Sequence, residues 1–180
     1  QLVRSRDVVR AFGIPVFESP GFEADDLLGT IVEQLKHERT LDIVIASGDM
    51  DTLQLVSGTR VEVYTLKKGI TETALYDEEA VKARFGFAPK HLPDYKGLAG
   101  DPSDRIPGVP GIGTKTASIL IQKFGTVEAM HKTLTRSPES FAKDVGVSAR
   151  VARILSEHKD EALFSKALAE INRAAPIEFN

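Results

Sequence analysis

Three groups of acidic residues are the positions in this 180-residue chain best suited to do chemistry. The first is Glu23, Asp25 and Asp26, the second Asp49 and Asp51, and the third Asp101 and Asp104. Each has an ordinary structural reading. Acids in the first turn of a helix are favoured by its dipole. Asp also caps helices and builds turns. If the fold brings the groups to one edge, seven carboxylates converge. Unit charges about 4 Å apart repel by about 4 kcal/mol at an effective dielectric near 20, so such a site needs cations. Oxygen ligands without His or Cys suit Mg²⁺ or Mn²⁺. Two such ions roughly 4 Å apart can clamp an in-line phosphoryl displacement.

The second informative stretch is Ile106-Pro107-Gly108-Val109-Pro110-Gly111-Ile112-Gly113-Thr114-Lys115-Thr116-Ala117. Gly108, Gly111 and Gly113 let the backbone approach a ligand closely. A helix starting near Thr114 aims free N–H groups into the turn, which makes an anion site with Lys115 beside it. A DNA phosphate suits that site, and such contacts position a strand without reading its sequence. A nucleotide-binding P-loop is rejected, because Thr114 stands where its Lys belongs and no buried strand leads into Gly108. A rigid helix–helix connector remains the structural alternative.

These groups need elements to hold them. Residues 2–12 read as a short helix and Ile14–Phe17 as a strand. Leu27, Leu28, Ile31, Val32 and Leu35 have helical spacing over 24–37. Asp42–Ala46 has the pattern of a buried parallel strand, which would put Asp49 and Asp51 at its carboxyl end, where α/β sheets bind ligands. A short helix starts near Asp51. Val61–Tyr64 alternates, Lys68-Gly69 is a turn signal and residues 70–72 return, giving a hairpin or paired edge strands. Asp77 caps a helix through Arg84, and His91–Leu98 is another. Residues 97–113 hold five Gly and three Pro. A helix follows over 114–124, the chain stays mostly helical to about 171, and Pro176–Phe179 is a candidate closing strand. The expected organisation is an α/β core over residues 1–76 and a helical lobe with a closing segment over 77–180.

Composition sets limits. The hydrophobic fraction is 42% and the charged fraction 27%, ordinary for a globular protein. No apolar run approaches the roughly 20 residues that span a bilayer, so no membrane partner is expected. There is no Cys, which excludes disulfides and thiolate zinc sites and fits the cytosol. The net charge of −3 is not that of a basic DNA-binding domain, so charge distribution carries the argument. Lys96, Arg105, Lys115 and Lys123 form a candidate basic strip, with scattered solvated charge the alternative for Lys96 and Lys123. His37, His91, His131 and His158 lack ligand spacing and read as surface residues. Tyr95 reads as packing. Gln1–Arg6 has neither an initiator Met nor a signal-peptide pattern, so the chain reads as an internal piece of a longer protein.

The string Gly100-Asp101-Pro102-Ser103-Asp104-Arg105-Ile106-Pro107-Gly108 through Ala117 resembles the signature of the flap endonuclease and 5′-3′ exonuclease family. Glu23-Ala24-Asp25-Asp26 and Gly48-Asp49-Met50-Asp51 resemble that family's other motifs, in order and spacing, and His158–Glu178 resembles the end of the version carried by bacterial DNA polymerase I. The resemblance implies a PIN-like α/β fold with a parallel-sheet core and a C-terminal helical lobe containing a helix–three-turn–helix element. It implies that Glu23, Asp25, Asp26, Asp49, Asp51, Asp101 and Asp104 hold two Mg²⁺ or Mn²⁺ ions, directly or through water. Asp25, Asp26, Asp49 and Asp51 then carry catalysis. Residues 106–124 grip duplex DNA through Gly108, Gly111, Gly113, Thr114, Lys115 and Thr116, and K⁺ can bridge that loop and a phosphate.

The implied activity is structure-specific 5′ nuclease cleavage of DNA at flaps, nicks or branches, for primer removal and repair, in the bacterial cytoplasm at the nucleoid and beside a fused or associated DNA polymerase. A noncatalytic duplex-binding fragment and a PIN-type ribonuclease are the other readings. Arg105 departs from the family's usual Asn. The family's first-strand Asp, a further acidic position and its basic arch residues find no counterpart here, so the chain is expected to begin after the arch and to cleave poorly alone.

Overall fold

In a computed structural model, the structure describes residues 2–68 and 71–179. They form two compact units, one of residues 1–41 with 172–180 and one of residues 42–171.

The first unit contains helices α1 (Leu2–Ala11) and α2 (Ala24–Gln34), the latter followed by a 3₁₀ turn at Leu35–His37. The α2 helix buries Leu27 and Val32, two of the apolar positions whose spacing predicted it. Ile14–Phe17 is not a strand: no residue there pairs, and Pro15 has no N–H to offer a ladder. Pro176–Phe179 is not a strand either. The returning segment is held instead by one polar stripe of α2. Asp26 Oδ1 accepts from Asn172 N–H at 2.8 Å, Thr30 Oγ1 from Ala175 N–H at 2.9 Å, and Gln34 Oε1 from Phe179 N–H at 2.9 Å. Gln34 Nε2 also donates to Ile177 O at 2.7 Å. Positions 26, 30 and 34 are one helical turn apart and share a face. Thr30 is buried and donates its own O–H to Asp26 O at 2.8 Å, so the stripe leaves little unsatisfied.

The second unit opens with strands β1 (Ile43–Ala46), β2 (Val61–Lys68) and β3 (Glu72–Tyr76), in the order β1-β2-β3. β1 runs parallel to β2 with Ile45 opposite Val63, and β3 returns antiparallel with Tyr76 opposite Val63. The sheet is therefore mixed around the expected parallel pair. Gly69 of the turn expected at Lys68-Gly69, and Ile70 after it, lie outside the described residues. Alternation along β2 buries Val61, Val63 and Thr65 and exposes Tyr64 and Leu66. β1 reads as buried on both faces from its apolar run, but only Ile45 is buried and Val44 is exposed.

A 3₁₀ turn at Met50–Leu55 follows β1, and α3 (Glu78–Phe85) starts where Asp77 Oδ1 accepts Ala80 N–H at 2.7 Å. Six helices complete the unit: α4 (Leu92–Ala99), α5 (Thr114–Phe124), α6 (Val127–Arg136), α7 (Pro138–Val145), α8 (Ala149–Glu157) and α9 (Lys159–Ala169). Their shared core includes Leu98, Leu120, Ile121, Met130, Leu134, Phe141 and Leu155, all essentially inaccessible. Phe124 stacks on Phe141 at 5.3 Å. The α4 and α9 backbones meet at Gly97, where a methyl group would lie 2.9 Å from Ala162 O.

Polar groups lock these helices. Buried Asp94 on α4 accepts Val127 N–H at 2.9 Å, capping α6, and pairs with Lys166 of α9 at 2.7 Å. Lys166 also reaches Glu128 at 2.8 Å. His131, expected at the surface, is 4% exposed on α6, and its Nε2 has no hydrogen-bond partner. It occupies an inward position of the helix, a placement its residue type does not announce. Tyr95 packs among Phe85 and Phe87, with the Phe87 ring at 5.5 Å, as expected.

Candidate metal centre and DNA-binding loop

The second unit builds its acidic site from three pieces of chain. Asp49 follows β1 and caps the 3₁₀ turn, its Oδ1 accepting Asp51 N–H at 2.9 Å. That turn buries Thr52, Leu53, Gln54 and Leu55 and holds Asp51 half-buried at its start. Asp101 and Asp104 sit on a tight reversal after α4, closed by Asp101 N–H to Ile106 O and Ile106 N–H to Asp101 O, both 2.9 Å. Within it Asp101 Oδ1 accepts Ser103 N–H at 3.0 Å. Arg105 closes the reversal with φ +58°, the left-handed region that an L side chain enters at a cost. The fold thereby gathers Asp51, Asp101 and Asp104, each offering a carboxylate oxygen within 4.8 Å of the others. Three such oxygens can hold a metal ion.

A cation of the chain's own stands among them. Lys96 Nζ, on the last turn of α4, bonds Asp51, lies 2.7 Å from Asp101 Oδ2 and 3.3 Å from Asp104 Oδ2. Its side chain is only 13% exposed. Lys96 is thus neither part of a basic strip nor a scattered surface charge. Lys123 stays exposed and donates to Asp144 O. The electrostatics follow from burial and proximity. Burial pushes Asp51 up to about 6, with Lys96 opposing and the charges of Asp49 and Asp104 adding to the rise. Burial pulls Lys96 down, but its bonds to Asp101 and Asp51 outweigh this and carry it up to about 12. Burial likewise works against Asp101, yet the bonds from Lys96 and Ser103 hold it below the usual carboxylate range.

In the first unit, Glu23, Asp25 and Asp26 occupy the start of α2. Asp26 Oδ2 accepts Glu23 N–H at 3.1 Å, the helix-start role open to these acids.

The Gly/Pro-rich stretch runs between α4 and α5. Gly108 is buried, with φ +64°, and donates its N–H to Ser165 Oγ at 3.0 Å. A methyl group there would lie 2.2 Å from Gly100 N, so the bare backbone is required by the chain's own crossing. Val109 N–H bonds Leu98 O at 2.9 Å, and Val109 and Ile112 are buried. These anchors leave Gly113, Thr114 and Lys115 exposed at the start of α5, where no side chain caps the helix and open space surrounds Gly113. The first-turn N–H groups of α5 are therefore available to an anion.

Family models match along the whole chain: 5′-3′ exonuclease, N-terminal resolvase-like domain, over residues 1–86, and 5′-3′ exonuclease, C-terminal SAM fold, over residues 87–180. The chain belongs to the 5′-3′ exonuclease family. It is 41% identical to DNA polymerase I of Bacillus caldotenax over 97% of its length, and 38% identical to that of Bacillus subtilis over 96%. It spans about a fifth of those relatives, 19% and 18% of their lengths. Among solved structures it resembles bacteriophage T5 5′-exonuclease bound to zinc, with a TM-score of 0.74 at 20% identity, covering 94% of this chain and 57% of that one. The catalytic core of Rad2 in complex with DNA gives a TM-score of 0.57 at 16% identity, covering 99% and 58%. The fold is thus the PIN-like α/β type of the flap endonucleases, with a helical C-terminal part. No helix among the described residues is long and apolar enough to cross a membrane.

Proposed function

We propose that the protein carrying this chain is a structure-specific 5′ nuclease that hydrolyses DNA phosphodiester bonds at 5′ ends, flaps, nicks or branches. Primer removal and repair are its uses, and a DNA polymerase is fused to it or associated with it. The observation that carries the reading is the meeting of Asp51, Asp101 and Asp104 in a member of the 5′-3′ exonuclease family. The donors are all carboxylate oxygens, without His or Cys, a set that fits Mg²⁺ or Mn²⁺. When bound, two such ions supply an activated water and charge neutralisation for in-line displacement. In that hydrolysis a P–O bond forms to water, the P–O3′ bond breaks, and the product keeps a 5′-phosphate. The leaving 3′ oxygen takes a proton.

Asp51, Asp101 and Asp104 hold cations, with Asp49 fixing Asp51 through its N–H. The family motif supports the same ligand role for Glu23, Asp25 and Asp26, and the catalytic assignment of Asp25, Asp26, Asp49 and Asp51. Gly113, Thr114, Lys115 and Thr116 at the start of α5 hold a duplex phosphate, with Gly108 and Gly111 shaping the loop and K⁺ bridging it to the phosphate. Cleavage of 5′-flap, nicked and intact duplex DNA with Mg²⁺, Mn²⁺ or EDTA tests the reading. Divalent-dependent release of 5′-phosphorylated product, lost in Asp51→Asn, is expected. Metal-independent cleavage, or cleavage confined to RNA, overturns it. Binding of duplex without cleavage of any substrate identifies a binding module instead.

A further inference from the structure

We infer that Lys96 is an internal counter-cation that holds the Asp51, Asp101 and Asp104 carboxylates together in the absence of metal and is displaced when a divalent ion enters. The inference deepens the metal-dependent reading above and rests on it. Its ground is position. The ammonium nitrogen bonds the same three carboxylates whose oxygens lie within 4.8 Å of one another. A Mg²⁺ ion needs oxygens at about 2.0–2.1 Å, so it must occupy the space between those oxygens. The Lys96 nitrogen already fills that space, bonding Asp51, 2.7 Å from Asp101 and 3.3 Å from Asp104. A divalent ion and an ammonium cannot share it, since both size and charge exclude them from one another.

Charge explains why the chain carries this residue. Three carboxylates at this range repel, and the turn through Asp101–Ile106 is held locally by three backbone bonds, one of them a long 3.4 Å contact from Arg105 N–H to Pro102 O, and by the Ser103 contacts. Lys96 comes from a different element, the last turn of α4, which is anchored by buried Leu98. It ties Asp51 to the Asp101–Ile106 reversal, so the ligand oxygens stand close before any metal arrives. That arrangement has a cost for metal affinity, because the entering ion must break the Lys96 contacts. Arginine would not serve equally: its planar fork prefers bidentate pairing, whereas a compact ammonium can face three acceptors.

Two measurements independent of cleavage test the displacement. First, Mn²⁺ binding to the protein is measured by calorimetry or electron paramagnetic resonance for wild type and Lys96→Met. Loss of the competing charge should tighten binding by about tenfold, a modest share of what a unit charge at this range contributes in a part-buried site. Second, the wild-type protein is treated with an amine-acetylating reagent and Lys96 modification is read by mass spectrometry. Lys96 should react slowly without metal and faster at saturating Mn²⁺, and this arm needs no variant to fold. If Mn²⁺ binds but Lys96 stays equally protected and Lys96→Met affinity is unchanged, displacement is refuted while the metal site stands. If neither form binds Mn²⁺, the metal reading itself fails and the displacement falls with it.

Discussion

Gly108→Ala separates what the Gly/Pro-rich loop does for the fold from what it does for a ligand. The added methyl group would lie 2.2 Å from Gly100 N, 2.6 Å from Gly100 Cα and 2.7 Å from Ala99 C, all backbone atoms. None can swing aside as a side-chain tip would. The φ of +64° adds left-handed strain, about 1–2 kcal/mol for a residue with a Cβ. Overpacking a tight site typically costs about 1–3 kcal/mol more. The expected loss is therefore about 2–5 kcal/mol, read as a lower urea midpoint with little change in slope. Gly113→Ala is the control within the same loop. Gly113 has φ −91° and nothing within 4 Å of an added methyl. Reduced unfolded-chain entropy and weaker helix capping act in opposite directions there, so stability should stay within about 1 kcal/mol of wild type. Duplex affinity should nevertheless fall in Gly113→Ala if a phosphate approaches the start of α5 closely, because the added methyl crowds that open space. Equal stability losses in the two variants would refute the crossing argument. Unchanged duplex affinity in Gly113→Ala would refute the close approach.

Lys115→Ala should weaken duplex binding alike for all sequences and reduce the slope of log affinity against log salt by about 1, measured by fluorescence anisotropy. Asp94→Ala leaves Lys166 with Glu128 alone and takes the acceptor from the buried Val127 N–H, and should cost about 3–5 kcal/mol in urea unfolding. Burial holds His131 below its ordinary 6.5, with Lys159 adding to the depression and Glu128 and Asp160 opposing it. A depressed folded pKa means the unfolded chain takes up the proton first. The contribution is whole above pH 6.5 and is lost as pH falls below it, by at most about 1.4 kcal/mol per pH unit. Relative to His131→Gln, wild-type stability should fall between pH 7 and 5.5, and parallel stability curves would argue against a neutral buried imidazole.

The elements that sequence reading located well are those whose own chemistry suffices. The α5 start follows from the glycine-rich turn that ends at Gly113, and α3 from the Asp77 cap. The hairpin of β2 and β3 follows from alternation. The misplaced elements depend on partners far away in sequence. Ile14–Phe17 has strand-like residues but no neighbour to pair with, and the closing segment spends its N–H groups on side chains of α2. At the site, the acids are conspicuous as types, yet Lys96 is not. Its distances of five and eight residues from Asp101 and Asp104 span a helix end and a turn, so no single periodicity places it between them. Its link to Asp51, 45 residues upstream, is purely tertiary. His131 is buried by α6 packing, which its residue type does not reveal.

The polar stripe of α2 sets a timetable for synthesis. Asp26, Thr30 and Gln34 leave the ribosome well before the N–H groups they accept, which belong to Asn172, Ala175 and Phe179. The intervening residues 42–171 are contiguous and hold their own core, so they can condense as they emerge. The first unit is split in sequence and must wait on the order of ten seconds for its other part. Throughout that interval Thr30, 2% exposed in the finished fold, has water in place of Ala175. Nascent chains arrested before residue 172 should therefore be cut by protease around α2 while residues 42–171 resist.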